Sequence, residues 1–382
     1  MQCKELFEVI DSLSDRYLDM LEDVCNIESQ TIDKEGVDKV GSYFAEEAKK
    51  HGWKVEIAPQ EKSGDLVCIT MNPDAKGEPV TISGHIDTVH PKGLFGDPPV
   101  HRDAEKIYGP GVHDCKGGCV AGQQAMDALE RIGFAARPVR LILQSDEENS
   151  SKTSGGATVR YMCEKAKDSV AFLNLEPHVA GCVTLLRKGI LRYKLTVHGN
   201  AVHSAVCYTG ANAVTEAAHK LLQLERFKDE NGLTCNCGVI RGGTVPNSVA
   251  DTCEFYADFR FATNEQYEEA VAAVEEVAAH STVEGCTCTA EVYSSRPAMI
   301  ESEKNNDLLA KINEIYAENG LQTLEKKMGN GGSDAAQVTQ AGIPCVDNFG
   351  SEGGRGHSKE EFTYLRSVSA AAKRIAAVIY CI

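Results

Sequence analysis

Apolar residues recur at helical spacing from the start of the chain. Leu6, Val9, Ile10, Leu13, Tyr17, Leu21 and Val24 fall on one stripe, so residues 6–27 read as one amphipathic helix. A second helix fits residues 37–51 and ends at Gly52. Beyond it, short apolar runs at 80–83, 139–144 and 170–175 read as buried strands, and 116–132 as a helix closed by Gly133. Strands alternating with helices predict an α/β fold with a mostly parallel sheet and helices on both faces. The texture changes near Arg187. Residues 190–198 alternate like a half-exposed strand, followed by a helix at 212–226, strands at 237–240 and 252–261, a helix at 264–280 and a strand at 287–294. That order is ferredoxin-like. Helices at 304–319 and 367–379 return to the earlier style. The expected organisation is an α/β domain, residues 1–187 and 296–382, interrupted by a small α+β insertion, residues 188–295.

Composition narrows the classes of function. At 382 residues, 42% apolar and 25% charged, the chain can fill a substantial core. A formal net charge of −17 repels nucleic acid and anionic membrane surfaces, which excludes both as expected partners. Fifteen cysteines, an odd number without paired spacing, argue for small buried hydrophobes in a reducing compartment rather than a disulfide framework. Cys235 with Cys237, Cys286 with Cys288, and Cys115 with Cys119 lack zinc-knuckle spacing and read as packing. The first residues have no signal-peptide apolar core, and no segment reaches the ~18 apolar residues of a membrane span. The expectation is a cytoplasmic protein.

Candidate chemistry lies just after the α/β strands. His85 ends one of them, and Asp87, two residues on, points to the same side of an extended chain, where it would accept the imidazole N–H. Alone, His85 reads as a structural histidine. Asp114 follows Gly109-Pro110-Gly111 and enters a helix, as an N-cap or as a carboxylate shared by two ions. Asp146-Glu147-Glu148 is either an acidic loop or a place where one glutamate binds metal while its neighbour, facing the other way in extended chain, serves as a base. Glu176 follows another strand. His357 lies in a glycine-rich loop with Glu361 four residues on. Two histidines and three carboxylates are enough for two zinc ions sharing one aspartate, and mixed nitrogen and oxygen ligation is catalytic zinc chemistry.

Taken in order, Gly84-His85-Ile86-Asp87, Asp114 before Lys116-Gly117, Asp146-Glu147-Glu148, Glu176-Pro177 and His357-Ser358 resemble the metallopeptidase family of glutamate carboxypeptidase, aminoacylase, acetylornithine deacetylase and succinyl-diaminopimelate desuccinylase. The resemblance implies an α/β two-zinc hydrolase domain with an inserted ferredoxin-like lid and dimerisation domain. It implies that Asp114 bridges two Zn2+ ions (Co2+ or Mn2+ fit similar ligands), with His85 and Glu176 on one, Glu148 and His357 on the other. Glu147 would be the general base, and Asp87 would orient His85. His203, in Gly199-Asn200-Ala201-Val202-His203-Ser204, would reach the site of a partner subunit in a homodimer. Asn247, Arg260 and Lys188 would hold the substrate carboxylate, and Gly332 and Ser333 would line its pocket. The nearest branch is glutamate carboxypeptidase-like, from Arg187-Lys188-Gly189 and Gly331-Gly332-Ser333-Asp334. Pro110, Asn149 and Arg355 depart from the family pattern and bear on substrate identity. The implied activity is cleavage of an amide bond beside a free carboxylate in a small peptide or an N-acyl amino acid. A two-zinc aminopeptidase and a non-catalytic binding protein are the rival readings.

Overall fold

All six residues of the strand Val80–His85 are buried, and the strands Val139–Gln144 and Ala171–Asn174 pair with it in parallel. A strand screened from water on both sides is nearly all apolar, which is why these runs stand out in the sequence. In the computed structural model, which describes residues 3–329 and 331–382, these three strands form the centre of a six-stranded sheet. Cys345–Val346 adds in parallel beside Ala171–Asn174. The other side differs from expectation. Leu66–Met71 and Lys54–Ala58 form a hairpin that joins Val139–Gln144 antiparallel, so the sheet is mixed rather than mostly parallel. Lys54–Ala58 is a partly exposed edge strand, and a hairpin needs no crossover helix to announce it.

The chain divides into two compact units. The first comprises Met1–Leu185, Glu301–Met328 and Ser333–Ile382; the second comprises Leu186–Ile300 with Gly329–Gly332. In the first, helix Lys116–Arg131 packs closely on helix Leu365–Cys381 and on the central strands. Val120, Leu129, Leu141, Leu173, Ile375 and Val378 belong to its fully buried core. The expected single helix at 6–27 is two, Lys4–Ser12 and Ser14–Asn26. Flanking the break at Leu13, the Ser12 hydroxyl donates to the Val9 carbonyl and the Ser14 hydroxyl lies 2.8 Å from that of Ser369. Serines that bond locally in this way compete with the helical ladder.

In the second unit the four strands run antiparallel in the order Thr234–Gly242, Thr252–Phe261, Gly189–His198, Thr287–Arg296. With helices Ala213–Leu224 and Asn264–Ala279, this is the ferredoxin-like order. Gly189–His198 alternates between buried residues and half-buried or exposed ones, the period-2 signature of a sheet covered on one face. Leu191, Leu195, Phe255 and Phe259 pack inward, while Arg192, Lys194, Tyr256 and Asp258 occupy the other face.

Buried Asp127 accepts from the Tyr17 hydroxyl at 2.9 Å, Arg16 Nη1 at 3.1 Å and Arg131 Nε at 2.6 Å, tying the second helix to the central one. Asp127→Ala strands the buried Tyr17 hydroxyl. It is expected to cost about 1–3 kcal/mol, read from urea unfolding, and adding Tyr17→Phe should return part of the loss.

Candidate metal centre

The strand ends and loops of the first unit bring five of the predicted residues together. His85 Nε2 lies 3.0 Å from Asp114 Oδ1 and 3.9 Å from Glu176 Oε1. On the other side of the same carboxylate, His357 Nε2 lies 3.3 Å from Asp114 Oδ2 and 3.2 Å from Glu148 Oε2. Asp114 thus offers one oxygen to each of two three-residue groups, His85–Asp114–Glu176 and Asp114–Glu148–His357, whose donor atoms lie within 4.8 Å of one another.

Local structure explains how each side chain arrives. A Cβ at Gly84 would stand 2.7 Å from Cys119 Sγ and 3.1 Å from Cys115 Sγ, so the glycine before His85 lets the strand close on the helix start. Both cysteines are fully buried there, in keeping with packing rather than ligation. Cys115 Sγ in turn accepts from the His85 amide. Glu147 and Glu148 do not sit in extended chain as expected. They open a 3-10 turn, Glu147–Asn149, in which neighbours diverge by about a third of a turn. His357 has φ of +63°, a left-handed conformation that a non-glycine residue holds only where its surroundings fix it.

Asp87 has a broader part than orienting His85. His85 Nδ1 lies 3.0 Å from the Asp87 main-chain oxygen and 3.4 Å from its Oδ1. The Asp87 carboxylate accepts from the Thr31 hydroxyl and from the amides of Glu147 and Glu148. It therefore anchors the turn that carries both glutamates.

The electrostatics follow from crowding. Burial, reinforced by Asp114 and Glu147, holds Glu176 well above the usual carboxylate range. Burial pushes Glu148 up to about 7. Burial would raise Asp114 as well, but hydrogen bonds to His357 and His85 prevail and hold it low. His357, hydrogen-bonded to Asp114 and Glu148, is pushed up to about 11. Carboxylates this close together need positive charge among them, which two imidazolium rings or metal cations supply. Two imidazoles and three carboxylates fit zinc, cobalt or manganese. His113, beside Asp114, stands outside both groups, and its buried Nδ1 has no hydrogen-bond partner among the described residues. A third group, His51–Asp127–Glu130, has its carboxylates engaged by Arg16, Arg131, Tyr17 and Trp53.

The remaining predicted residues, apart from Ser333, lie in the second unit. The His203 ring caps a short 3-10 helix, its Nδ1 accepting from the Ala205 amide. Asn247 is on the neighbouring segment, where its carbonyl accepts from the Ser204 amide. Arg260 Nε donates to Asp258 Oδ1 at 2.8 Å, and Arg192 Nε to Oδ2 of the same aspartate at 2.6 Å. Beside this pair is an open hollow of about 410 Å3 lined by Arg192, Arg241, Tyr256, Asp258 and Tyr293. The Lys188 ammonium donates to the carbonyls of Glu230 and Gly232. A Cβ at Gly332 would meet the Arg296 side chain at 2.7 Å. Ser333, in the first unit, is buried, with its hydroxyl accepting from Asn174 Nδ2 and the Ala335 amide. Arg192 and Arg296 drew no attention in the sequence because strand alternation alone gives a charged residue no special standing.

His357 must shed its proton to ligate a cation, because its raised pKa keeps it charged at neutral pH in the ion-free chain. Metal binding is therefore expected to release protons and to strengthen as pH rises from about 6 to 8. Calorimetry of Zn2+ binding in buffers of different ionisation enthalpy measures the release; a buffer-independent heat would contradict it.

Known proteins resemble this chain over most of its length. Carboxypeptidase G2 of Pseudomonas sp. (strain RS-16) is 29% identical over 374 residues, covering 95% of this chain and 88% of that one. A succinyl-diaminopimelate desuccinylase of Wolinella succinogenes is 26% identical over 311 residues, covering 77% and 82%. Among solved structures, aminopeptidase PepT from Bacillus cereus superposes with a TM-score of 0.79 at 19% identity, over 96% of this chain and 98% of that one. An M20 family metallo-carboxypeptidase from Sulfolobus solfataricus gives 0.70 at 16% identity, over 96% and 98%. These likenesses at low identity speak for the fold. Residues 81–380 match the family described as peptidase family M20/M25/M40, and the chain belongs to that family of metal-dependent peptidases and amidohydrolases.

Proposed function

We propose that this enzyme is a two-zinc amidohydrolase that cleaves an amide bond beside a free carboxylate, as a carboxypeptidase or dipeptidase does. The observation that carries the reading is the division of Asp114 between two histidine–carboxylate groups, with a glutamate outside both groups held next to one of them. His85 and Glu176 would hold one ion, Glu148 and His357 the other, and Asp114 both. Divalent ions held there supply Lewis acidity and bring the deprotonation of water near neutral pH.

The chain's own residues then divide the work. Glu147, buried in its turn and with its amide fixed on Asp87, accepts a proton from the attacking water and returns it to the departing amine. His203 donates to the oxygen that gains charge as water adds to the amide carbon. Arg260 grips the substrate carboxylate. Its Nε is engaged by Asp258, which leaves the planar fork oriented with donors to spare. Asn247 adds an amide, Lys188 its remaining N–H, and Gly332 and Ser333 shape the pocket wall.

The second unit, roughly residues 188–295, acts in this reading as lid and dimerisation domain, with His203 serving the site of a second copy. Its edge strand Thr234–Gly242 supports that assignment: Val239 and Ile240 are 41% and 45% exposed on a strand with an unpaired side. A cytoplasmic setting fits fifteen free cysteines. Among the described residues no helix is long and apolar enough to cross a membrane. The desuccinylase relatives favour a second reading, hydrolysis of N-acyl amino acids at the same site.

A panel of dipeptides and N-acyl amino acids, offered to the zinc- or cobalt-loaded protein, separates the two. Turnover of neither class with two ions bound would sink both readings. Glu147→Ala is expected to lower kcat by about 10²–10⁴ while two ions stay bound. Arg260→Ala is expected to raise KM at least about tenfold for substrates with a free carboxylate and to leave it unchanged for their amides.

A further inference from the structure

We propose that Glu361 is the positioning residue for the shared aspartate, with His90 as its anchor, so that this pair sets the spacing of both ion sites. The inference rests on the two-ion reading above and assigns neither residue to the ions themselves.

Glu361 is completely buried. One carboxylate oxygen, Oε1, accepts from the amides of His113 and of Asp114, each at 2.9 Å. The other, Oε2, lies 2.7 Å from Nε2 of His90, itself 5% exposed. The Glu361 main chain is held as firmly: its carbonyl accepts from the Gly109 amide and its amide donates to the Ser358 carbonyl. One residue thus joins the loop that delivers Asp114 to the loop that delivers His357, four residues before it. Lys116, the nearby buried cation, spends its ammonium on the carbonyls of Val24 and Ile27, which leaves His90 as the direct side-chain partner. The His90 ring is itself braced edge-on by Phe95 at 4.9 Å.

The chemistry explains why a carboxylate stands there. The segment from Gly109 to Cys115 is a loop, and the amides of His113 and Asp114 within it have no partner in a helix or a sheet. A charged acceptor satisfies two of them with one rigid group, and charge-assisted bonds are shorter and stiffer than neutral ones. The Asp114 carboxylate must present Oδ1 and Oδ2 to different histidines, 3.0 and 3.3 Å away. A small rotation about its backbone would improve one contact at the expense of the other. Fixing the Asp114 amide is what keeps the division even.

The test uses the full chain stripped of metal and titrated with Co2+ against a chromophoric chelator. Glu361→Gln retains an acceptor for the two amides but removes the charge; Glu361→Asp retains the charge but falls short by one methylene. Both are expected to unfold near the native temperature, to bind both Co2+ ions together about 10–100-fold more weakly, and to shift the visible absorption of the bound ions. Folded variants with native affinity and a native spectrum would overturn the proposal and leave Glu361 a purely structural acid. Should either variant fail to fold, His90→Phe decides. It keeps the contact with Phe95 and the Glu361 amide bonds, and it is expected to weaken Co2+ several-fold with an altered spectrum; native binding would overturn the proposal. A native chain that binds fewer than two ions would instead defeat the two-ion reading, and that is measured before any variant.

Discussion

Three carboxylates crowded around two imidazoles make the constraint to which the rest of the first unit answers. Glu148 and Glu176 are buried and raised, Asp114 is kept ionised by two histidines, and Glu147 adds charge at their side. Such a group is repulsive by itself, and a fold dominated by hydrophobic burial would expel it. It persists because a ring of buried acceptors and donors fixes the backbone from behind. Asp87 holds the Glu147–Glu148 turn, Glu361 holds the Asp114 loop, and Thr31 and His90 hold those two acids in turn. The energy of this arrangement is stored as geometry that suits cations.

Much of this was legible because each residue of the two groups falls just after an apolar run or within a glycine-rich loop. His85 closes the strand Val80–His85, and Glu148 follows Val139–Gln144 by a few residues. Asp114 opens the helix at Lys116. The identity of residues beside strand ends is local information. Glu361 and His90 were not assigned because their contact spans 271 positions, and no periodicity links them. The same reason hid the carboxylate of Asp87 as an amide acceptor: its local neighbour His85 was visible, while the amides it receives lie 60 and 61 residues away.

The fold shows a parallel division. The three central buried strands and most of the helices were read to within a few residues, and the strand Thr252–Phe261 matches at both ends, but the helix Ala157–Ala166 and the two-residue strand Cys345–Val346 were not expected. The hairpin of Lys54–Ala58 and Leu66–Met71 escaped notice because its edge strand is half exposed, which blurs the apolar run that marks a buried strand. The break at Leu13 was invisible to an apolar stripe that continues through it. What interrupts that helix is the local bonding of Ser12 and the contact of Ser14 with Ser369, and only the second requires the fold.

The two units handle charge in opposite ways. In the first, anionic oxygens are gathered and left for cations to balance. On the open face of the second, a single aspartate, Asp258, holds Arg192 and Arg260 by their Nε atoms, and Arg241 stands at the same hollow. The lining of the hollow holds two arginines and one aspartate, a local excess of positive charge in a chain of net charge −17. An aspartate that pins two arginines removes rotamer freedom that a ligand would otherwise have to freeze, so an incoming anion meets donors already in place. A neutral or cationic group gains nothing from such a face and must displace hydration from the guanidinium groups to occupy it. The contrast is one of sign: the first unit gathers oxygens that a cation would balance, and the second fixes arginine donors that an anion would satisfy.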